Sequence, residues 1–155
     1  MICDFNSICP DSRLWIFSSK RQLSLHEQAK INNLLSKFLI NWESHNKALL
    51  SSLKIFNSIF IVIAVDEKNQ IATGCSIDSL YNEIKKLHRL LKLDFLDSSI
   101  LHIKINENIK SISFTEIQNI LDTNTLFFDT TIKKKKELDS WLIPIKDGWC
   151  NAFLK

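Results

Sequence analysis

The first hundred residues alternate between short apolar runs and longer segments in which apolar residues recur every three or four positions. The run Leu14-Trp15-Ile16-Phe17 is aromatic and branched, which predicts a β-strand. Ser24 and Glu27 have the spacing of a capping box, in which each side chain bonds the backbone N–H of the other residue. The helix that they open is predicted to bury one apolar stripe, which comprises Ile31, Leu34, Leu35, Phe38 and Trp42.

The pattern continues with two strands and a second helix. Ser44-His45-Asn46 is predicted to end the first helix, and residues 49–56 to form a strand. After a tight turn at Asn57-Ser58, the continuous apolar run 59–65 is typical of a central strand buried on both faces. The second helix is predicted to begin near position 76 or 78, and its stripe comprises Leu80, Ile84, Leu87 and Leu91.

The order of these elements predicts the fold. With a further strand at 100–105, residues 13–105 have the order β-α-β-β-α-β, which is the ferredoxin-like arrangement of an α+β protein. Each helix has a single apolar stripe, so both helices are expected on one face of an antiparallel sheet. We therefore predict an α+β core domain at 1–105 and a small C-terminal α/β unit at 106–155 that packs on it.

Charge changes this picture little. The formal net charge of +3 is smaller than the contribution of Lys133–Lys136 alone, so the rest of the chain is close to neutral. Only three residues are arginines, which disfavours nucleic-acid binding through bidentate contacts to phosphates or bases. The lysine run is predicted to be a solvated helix start that folding and function do not require.

The glycine count excludes two classes of nucleotide-binding protein. Gly74 and Gly148 are the only glycines, whereas a P-loop needs two in a fixed spacing and a dinucleotide fingerprint needs three within six residues. We therefore expect neither ATP hydrolysis nor tight ATP binding, and no cofactor.

The four cysteines, Cys3, Cys9, Cys75 and Cys150, contain no C-x-x-C pair, so the common zinc and redox spacings are missing. The N-terminal residues lack the charge and apolar run of a signal peptide, and the longest apolar run is too short for a bilayer span. These observations predict a cytoplasmic protein with reduced thiols and no membrane insertion.

Residues 72–79 carry the strongest candidate chemistry, because Cys75 lies just before the second helix. A helix N-terminus stabilises a thiolate, and Ser76 or Asp78 is the candidate N-cap. One hypothesis is a functional turn, which either binds an anion or carries a reactive thiol with Cys75, His45 and Asp78 as candidate catalytic residues and His45 as the base. The other, which the sequence favours, is a structural cysteine that is substantially buried.

A metal site is not predicted. Asp66 and Glu67 follow the central strand and are candidate ligands together with Asp78, but adjacent strand residues point to opposite sides. The scattered cysteines are a weak zinc pattern.

Several of these segments together resemble a family of short bacterial proteins that often carry the label "ABC transporter ATPase". The resemblance rests on residues 12–16, on Trp42 with His45, on residues 65–67 and above all on residues 74–79. The residues that ATP hydrolysis needs are absent, so the label does not imply that activity. The resemblance implies a binding site at Arg13, His45, Asp66, Gly74, Cys75, Ser76 and Asp78.

Residues 110–150 are similar to small GYF-like adaptor repeats. The similarity rests on three segments that occur in the same order along the chain, at residues 113–117, 125–128 and 141–144. That similarity implies aromatic side chains that hold a proline-rich peptide, although the Gly-Tyr-Phe signature is missing.

The sequence as a whole favours a non-enzymatic interaction or binding module with a protein partner. The alternative is a thiol-dependent enzyme centred on Cys75, and solvent access of that thiol discriminates between the two.

Overall fold

The computed structural model describes residues 1–120 and 122–154 of the 155-residue chain. Within them the chain forms two compact units. Unit 1 contains Met1–Leu96 together with Lys133–Lys136, and unit 2 contains Asp97–Ile132 and the chain that follows from Glu137. The structure is mixed α+β with antiparallel sheets, so the predicted α+β class is confirmed.

Unit 1 is built around a three-stranded antiparallel sheet with strand order β1-β5-β4. The elements of this unit are β1 (Arg13–Ser18), α1 (Leu25–Ile40), β2 (Glu43–Ser44), β3 (Lys47–Ala48), β4 (Leu50–Phe56), β5 (Phe60–Asp66) and α2 (Gly74–Leu91). Ile61, Ile63 and Val65 of β5 share one core with the apolar stripes of both helices. The alternate residues Phe60 and Val62 are also buried, which confirms the prediction of a central strand buried on both faces.

Local signals in the sequence account for the ends of α1. Ser24 Oγ accepts a hydrogen bond from Glu27 N at 3.1 Å, and Ser24 N donates to Glu27 Oε1 at 3.0 Å, as the capping box predicts. Arg21 forms a bidentate pair with the same carboxylate, and these bonds lower the pKa of Glu27 to about 2. The helix ends at Ile40, earlier than the predicted boundary at 44–46.

Residues 44–46 form a hairpin instead of a helix end. Strands β2 and β3 pair across His45 and Asn46, both of which have positive φ (52° and 61°). This is the geometry of a tight hairpin turn, which asparagine tolerates better than most residues. Asn57 and Ser58 have the same geometry, and they confirm the predicted turn between β4 and β5.

Unit 2 contains a four-stranded antiparallel sheet with strand order β7-β6-β8-β9. Its strands are β6 (Ile100–Ile105), β7 (Asn108–Ser113), β8 (Leu126–Phe128) and β9 (Leu142–Pro144). The chain from residue 114 onward also forms four 3₁₀ helices, which are Phe114–Asn119, Lys135–Ser140, Ile145–Asp147 and Trp149–Phe153. Phe127, Ile117 and Ile145 lie at the centre of a separate small core. A side chain at Gly148 would collide with the Phe127 ring, because a Cβ there would lie 2.3 Å from it.

The predicted ferredoxin-like topology is not confirmed. That topology places the strand after the second helix in the same sheet as the first strand. Here β6 pairs with β7 and β8, whereas β1 lies in a separate sheet with β5 and β4. The reason is local, because a two-residue turn joins β6 to β7, with Asn106 at φ 55°. The predicted domain boundary after residue 105 falls within this hairpin, whereas the chain divides after Leu96.

The lysine run is solvated at Lys133, Lys134 and Lys136, as the sequence predicts, but its backbone and the partly buried Lys135 are bonded to unit 1. Although a 3₁₀ helix begins at Lys135, the run extends the backbone hydrogen bonding of β1 and the residues before it. Leu14 N donates to Lys133 O at 2.9 Å, and Lys135 N donates to Ser12 O at 2.9 Å. Four residues from late in the chain thereby become part of unit 1.

The side chain of Lys135 completes this attachment. Its ammonium group donates to Ile8 O at 2.8 Å and to Asn6 O at 3.3 Å, and it lies 5.3 Å from the centroid of the Phe5 ring. Charge-assisted bonds of this kind are stronger than bonds between neutral groups.

No described helix combines the length and apolar character needed to cross a bilayer.

Candidate functional site

The first turn of α2 is attached to the β2–β3 hairpin through polar contacts. Thr73 is the N-cap, so the helix begins at Gly74, two to four residues before the predicted start. Ser76 Oγ contacts both the N and the O of Thr73 at 2.8 Å, and the Thr73 hydroxyl lies 3.0 Å from that of Ser44. Trp42 Nε1 donates to Ser76 O at 2.9 Å in a buried contact. The hairpin is therefore held against the start of α2.

This attachment creates a shallow pocket that Cys75 and His45 both line. The Cys75 pocket has a volume of about 330 Å³. Its lining residues are Glu43, Ser44, His45, Asn46, Thr73, Cys75, Ser76 and Ser79. The structure thus brings two residues that are 30 positions apart into one pocket, where the thiol hypothesis requires them.

The predicted burial of Cys75 is wrong. The thiol is exposed, and Gly74 does not permit a close backbone approach there, because a Cβ at Gly74 would meet no atom within 4 Å. Ser76 occupies the buried position of this turn instead, and its hydroxyl serves the cap. Because the Cys75 thiol is accessible to solvent, the structure favours thiol chemistry at Cys75 over a purely structural role.

The remaining nominated residues do not line this pocket. Asp78 is exposed on α2. Arg13 forms an ion pair with Glu67 at 3.5 Å, and its guanidinium lies 4.7 Å from the Trp15 ring centroid. The Asp66 carboxylate accepts a hydrogen bond from Lys68 N at 3.0 Å, in the turn after β5. The nominated binding set is therefore divided between two places in unit 1.

Within the described residues, no group of three or more histidine, cysteine, aspartate and glutamate side chains is arranged to hold a metal ion. The described cysteines are all free thiols, and only Cys75 among them is exposed.

A second candidate site, which the sequence did not nominate, is a groove between α1 and α2. Two adjoining depressions with volumes of about 580 and 560 Å³ share Phe38, Glu83 and Lys86. Together they form what we call the α1–α2 groove. On α2 it extends from Ser79 to Leu90, a distance of about 17 Å at 1.5 Å per residue.

The α1–α2 groove combines apolar side chains with a surplus of positive charge. Leu34 and Phe38 are partly buried against the core, and Leu90 is 52% exposed. The cations along the groove are Lys30, Lys37, Lys85, Lys86 and Arg89. Glu83 is its single carboxylate, and it pairs with Lys86.

One signal in the sequence points to this groove. The buried stripe of α1 is Ile31, Leu35 and Leu39, whereas Leu34 and Phe38 lie beside it. When the apolar stripe of a helix is wider than the surface that packs on the sheet, the side chains at the edge of the stripe stay partly exposed. Leu90 is an exposed apolar residue of this kind on α2.

Unit 2 presents a small exposed aromatic cluster. Trp149 and Phe153 are 41% and 42% exposed, with ring centroids 6.1 Å apart, and Phe114 lies 5.5 Å from Phe153. These rings lie in or next to the region of the GYF-like similarity. The binding of a proline-rich peptide stays a prediction.

Comparisons with known proteins give no further guide to function, because no protein-family model, curated protein or solved structure matches this chain.

Proposed function

We propose that this chain is a non-enzymatic interaction module, and that its docking surface for a protein partner is the α1–α2 groove. The observation that carries the proposal is the apolar strip of Leu34, Phe38 and Leu90, which is bordered by polar and charged side chains. Exposed apolar surface with a polar rim is typical of protein-binding sites. The groove length of about 17 Å suits roughly three turns of a bound helix.

Site-directed photo-crosslinking in the native cell tests this proposal. We expect p-benzoylphenylalanine in place of Asn33, which lines the groove, to give a discrete adduct with one partner, identified by mass spectrometry. The same probe in place of Lys47, which is exposed on the hairpin, serves as the control. In the Asn33 probe protein, Leu90→Asp should abolish the adduct without unfolding the chain, because Leu90 is half exposed. Identical adduct patterns at the two positions would contradict the proposal.

The resemblance to the family labelled "ABC transporter ATPase" remains a proposal that rests on the residues quoted above. We do not extend it to ATP chemistry, because neither glycine belongs to a phosphate-binding loop. Gly74 begins a regular α-helix, and Gly148 precedes a short 3₁₀ helix.

A second candidate function, thiol-dependent catalysis, is favoured by one observation. Cys75 is exposed in a pocket that His45 also lines. A neighbouring imidazole that accepts the thiol proton would generate the thiolate, which is the nucleophilic form of cysteine. This candidate makes a kinetic prediction that the interaction module does not require.

We expect iodoacetamide to alkylate Cys75 before the other thiols of the native protein. Cys150 is buried, and Cys3 and Cys9 are partly buried, so the reagent reaches these thiols less readily than Cys75. Burial also raises the pKa of Cys3 and Cys150 and so lowers their thiolate fraction. Peptide mapping by mass spectrometry measures the order of labelling. If His45 acts as a base, His45→Gln slows labelling of Cys75 at neutral pH. An unchanged rate would attribute the reactivity to exposure alone and would remove the thiol enzyme from consideration.

A further inference from the structure

The proposed docking surface carries a charge pattern that specifies its partner. Five cations line the α1–α2 groove, and the single carboxylate is already paired with one of them. These cations belong to both helices: Lys30 and Lys37 lie on α1, whereas Lys85 and Arg89 lie on α2. A ligand in the groove therefore meets positive charge from both sides.

We infer that the occupant of the α1–α2 groove is an acidic amphipathic helix of a partner protein, with an apolar face toward Leu34, Phe38 and Leu90. This inference rests on the proposed function and specifies its chemistry. Carboxylates that flank the apolar face of the partner would lie opposite the lysines and Arg89. Such charge complementarity accelerates association and excludes partners of the wrong charge.

The side chains of the groove favour a protein partner over a nucleic acid. Binding of single-stranded nucleic acid combines a basic track with several aromatic rings on which bases stack. The groove contains one aromatic side chain, Phe38, and one arginine, Arg89, whereas the other apolar residues are aliphatic. Aliphatic side chains instead match the leucine-like face of an amphipathic helix.

The test uses the full chain and three synthetic amphipathic helices of about 18 residues, which are about 27 Å long when helical. The peptides share one apolar face and differ in having acidic, uncharged or basic polar faces. We expect the acidic peptide to bind about tenfold more tightly than the uncharged one at low salt, and the difference to shrink as salt screens the charges. Titration calorimetry gives the affinities, and amide chemical shifts locate the bound peptide.

Removing the charge surplus of the groove gives the sharpest result. The double variant Lys37→Glu, Arg89→Glu leaves three cations and three carboxylates along the groove, so it should lose the preference for the acidic peptide. The control variant Lys47→Glu, Lys68→Glu makes the same change in net charge at exposed residues outside the groove, and it should keep the preference for the acidic peptide.

The outcomes separate this inference from the proposed function. Equal affinity for the acidic and uncharged peptides would overturn the acidic partner, and a specific adduct from the Asn33 probe would still support a docking groove. Tighter binding of a single-stranded RNA oligonucleotide or of anionic lipid vesicles than of the acidic peptide would also overturn the inference. If no peptide binds and no adduct forms, both proposals fail.

Discussion

The variant Lys135→Met is expected to lower the free energy of unfolding by about 2 kcal/mol. The Lys135 ammonium donates to Ile8 O and Asn6 O and lies over the Phe5 ring. Methionine keeps much of the apolar stem but leaves both carbonyl groups without this donor. The backbone hydrogen bonds of the lysine run survive the change, so the variant isolates the contribution of the side chain. Urea denaturation followed by tryptophan fluorescence measures the loss.

The matched control is Lys47→Met, which removes the same charge from an exposed position of the same unit. We expect this change to alter stability by no more than about 0.5 kcal/mol, as is usual for surface positions. Equal denaturation midpoints for the Lys135→Met variant and the wild-type protein would restore the original prediction that the lysine run is dispensable.

The features that could be predicted from the sequence are those with a local cause. The capping box of Ser24 and Glu27 needs only four consecutive residues, and its two hydrogen bonds are present. The turn at Asn57 and Ser58 joins two strands that are adjacent in the sequence. The apolar run 59–65 predicts burial on both faces whichever strands pair with it, and β5 is buried in this way.

The features that were missed depend on which distant segments meet. Strand 100–105 has the same apolar pattern in either sheet, so its pattern does not reveal its partners. The decisive local clue is the turn Asn106-Glu107, where the asparagine at positive φ joins β6 to β7. The pairing of Lys133 and Lys135 with residues 12–14 leaves no periodic signal in the sequence, because four consecutive lysines have the pattern of a solvated loop or helix start.

The candidate sites also divide into features with a local cause and features that depend on distant segments. The presence of a helix next to Cys75 could be recognised from the local apolar stripe of α2, whereas its N-cap is Thr73 and not the predicted Ser76 or Asp78. The sequence does not reveal which side of this turn faces solvent. That side depends on Ser76, which takes the buried position and whose carbonyl oxygen accepts a hydrogen bond from Trp42 Nε1, far away in the sequence. The α1–α2 groove requires the packing of two helices that are far apart in sequence.

The stability of the protein is expected to fall as the pH decreases from neutral, because of one buried histidine. His102 of β6 is 1% exposed, and its Nδ1 lies 2.8 Å from Ser111 Oγ. Burial lowers the pKa of His102 from 6.5 to about 4. Between these values the unfolded chain binds a proton that the folded chain does not, so protonation favours unfolding. The stabilisation is complete above pH 6.5 and is lost progressively as the pH falls toward about 4.

Across the range from about pH 7 to pH 5, this single group should reduce the free energy of unfolding by about 2 kcal/mol. Denaturation of the wild-type protein and of His102→Asn at each pH isolates the effect, since other groups titrate in both proteins and the variant should show a flatter profile. The exposed His26 provides the control, and His26→Gln should keep the wild-type slope. Titration of the His102 ring protons by NMR tests the cause even if His102→Asn does not fold, and a ring that titrates near pH 6.5 in the native protein would contradict the prediction.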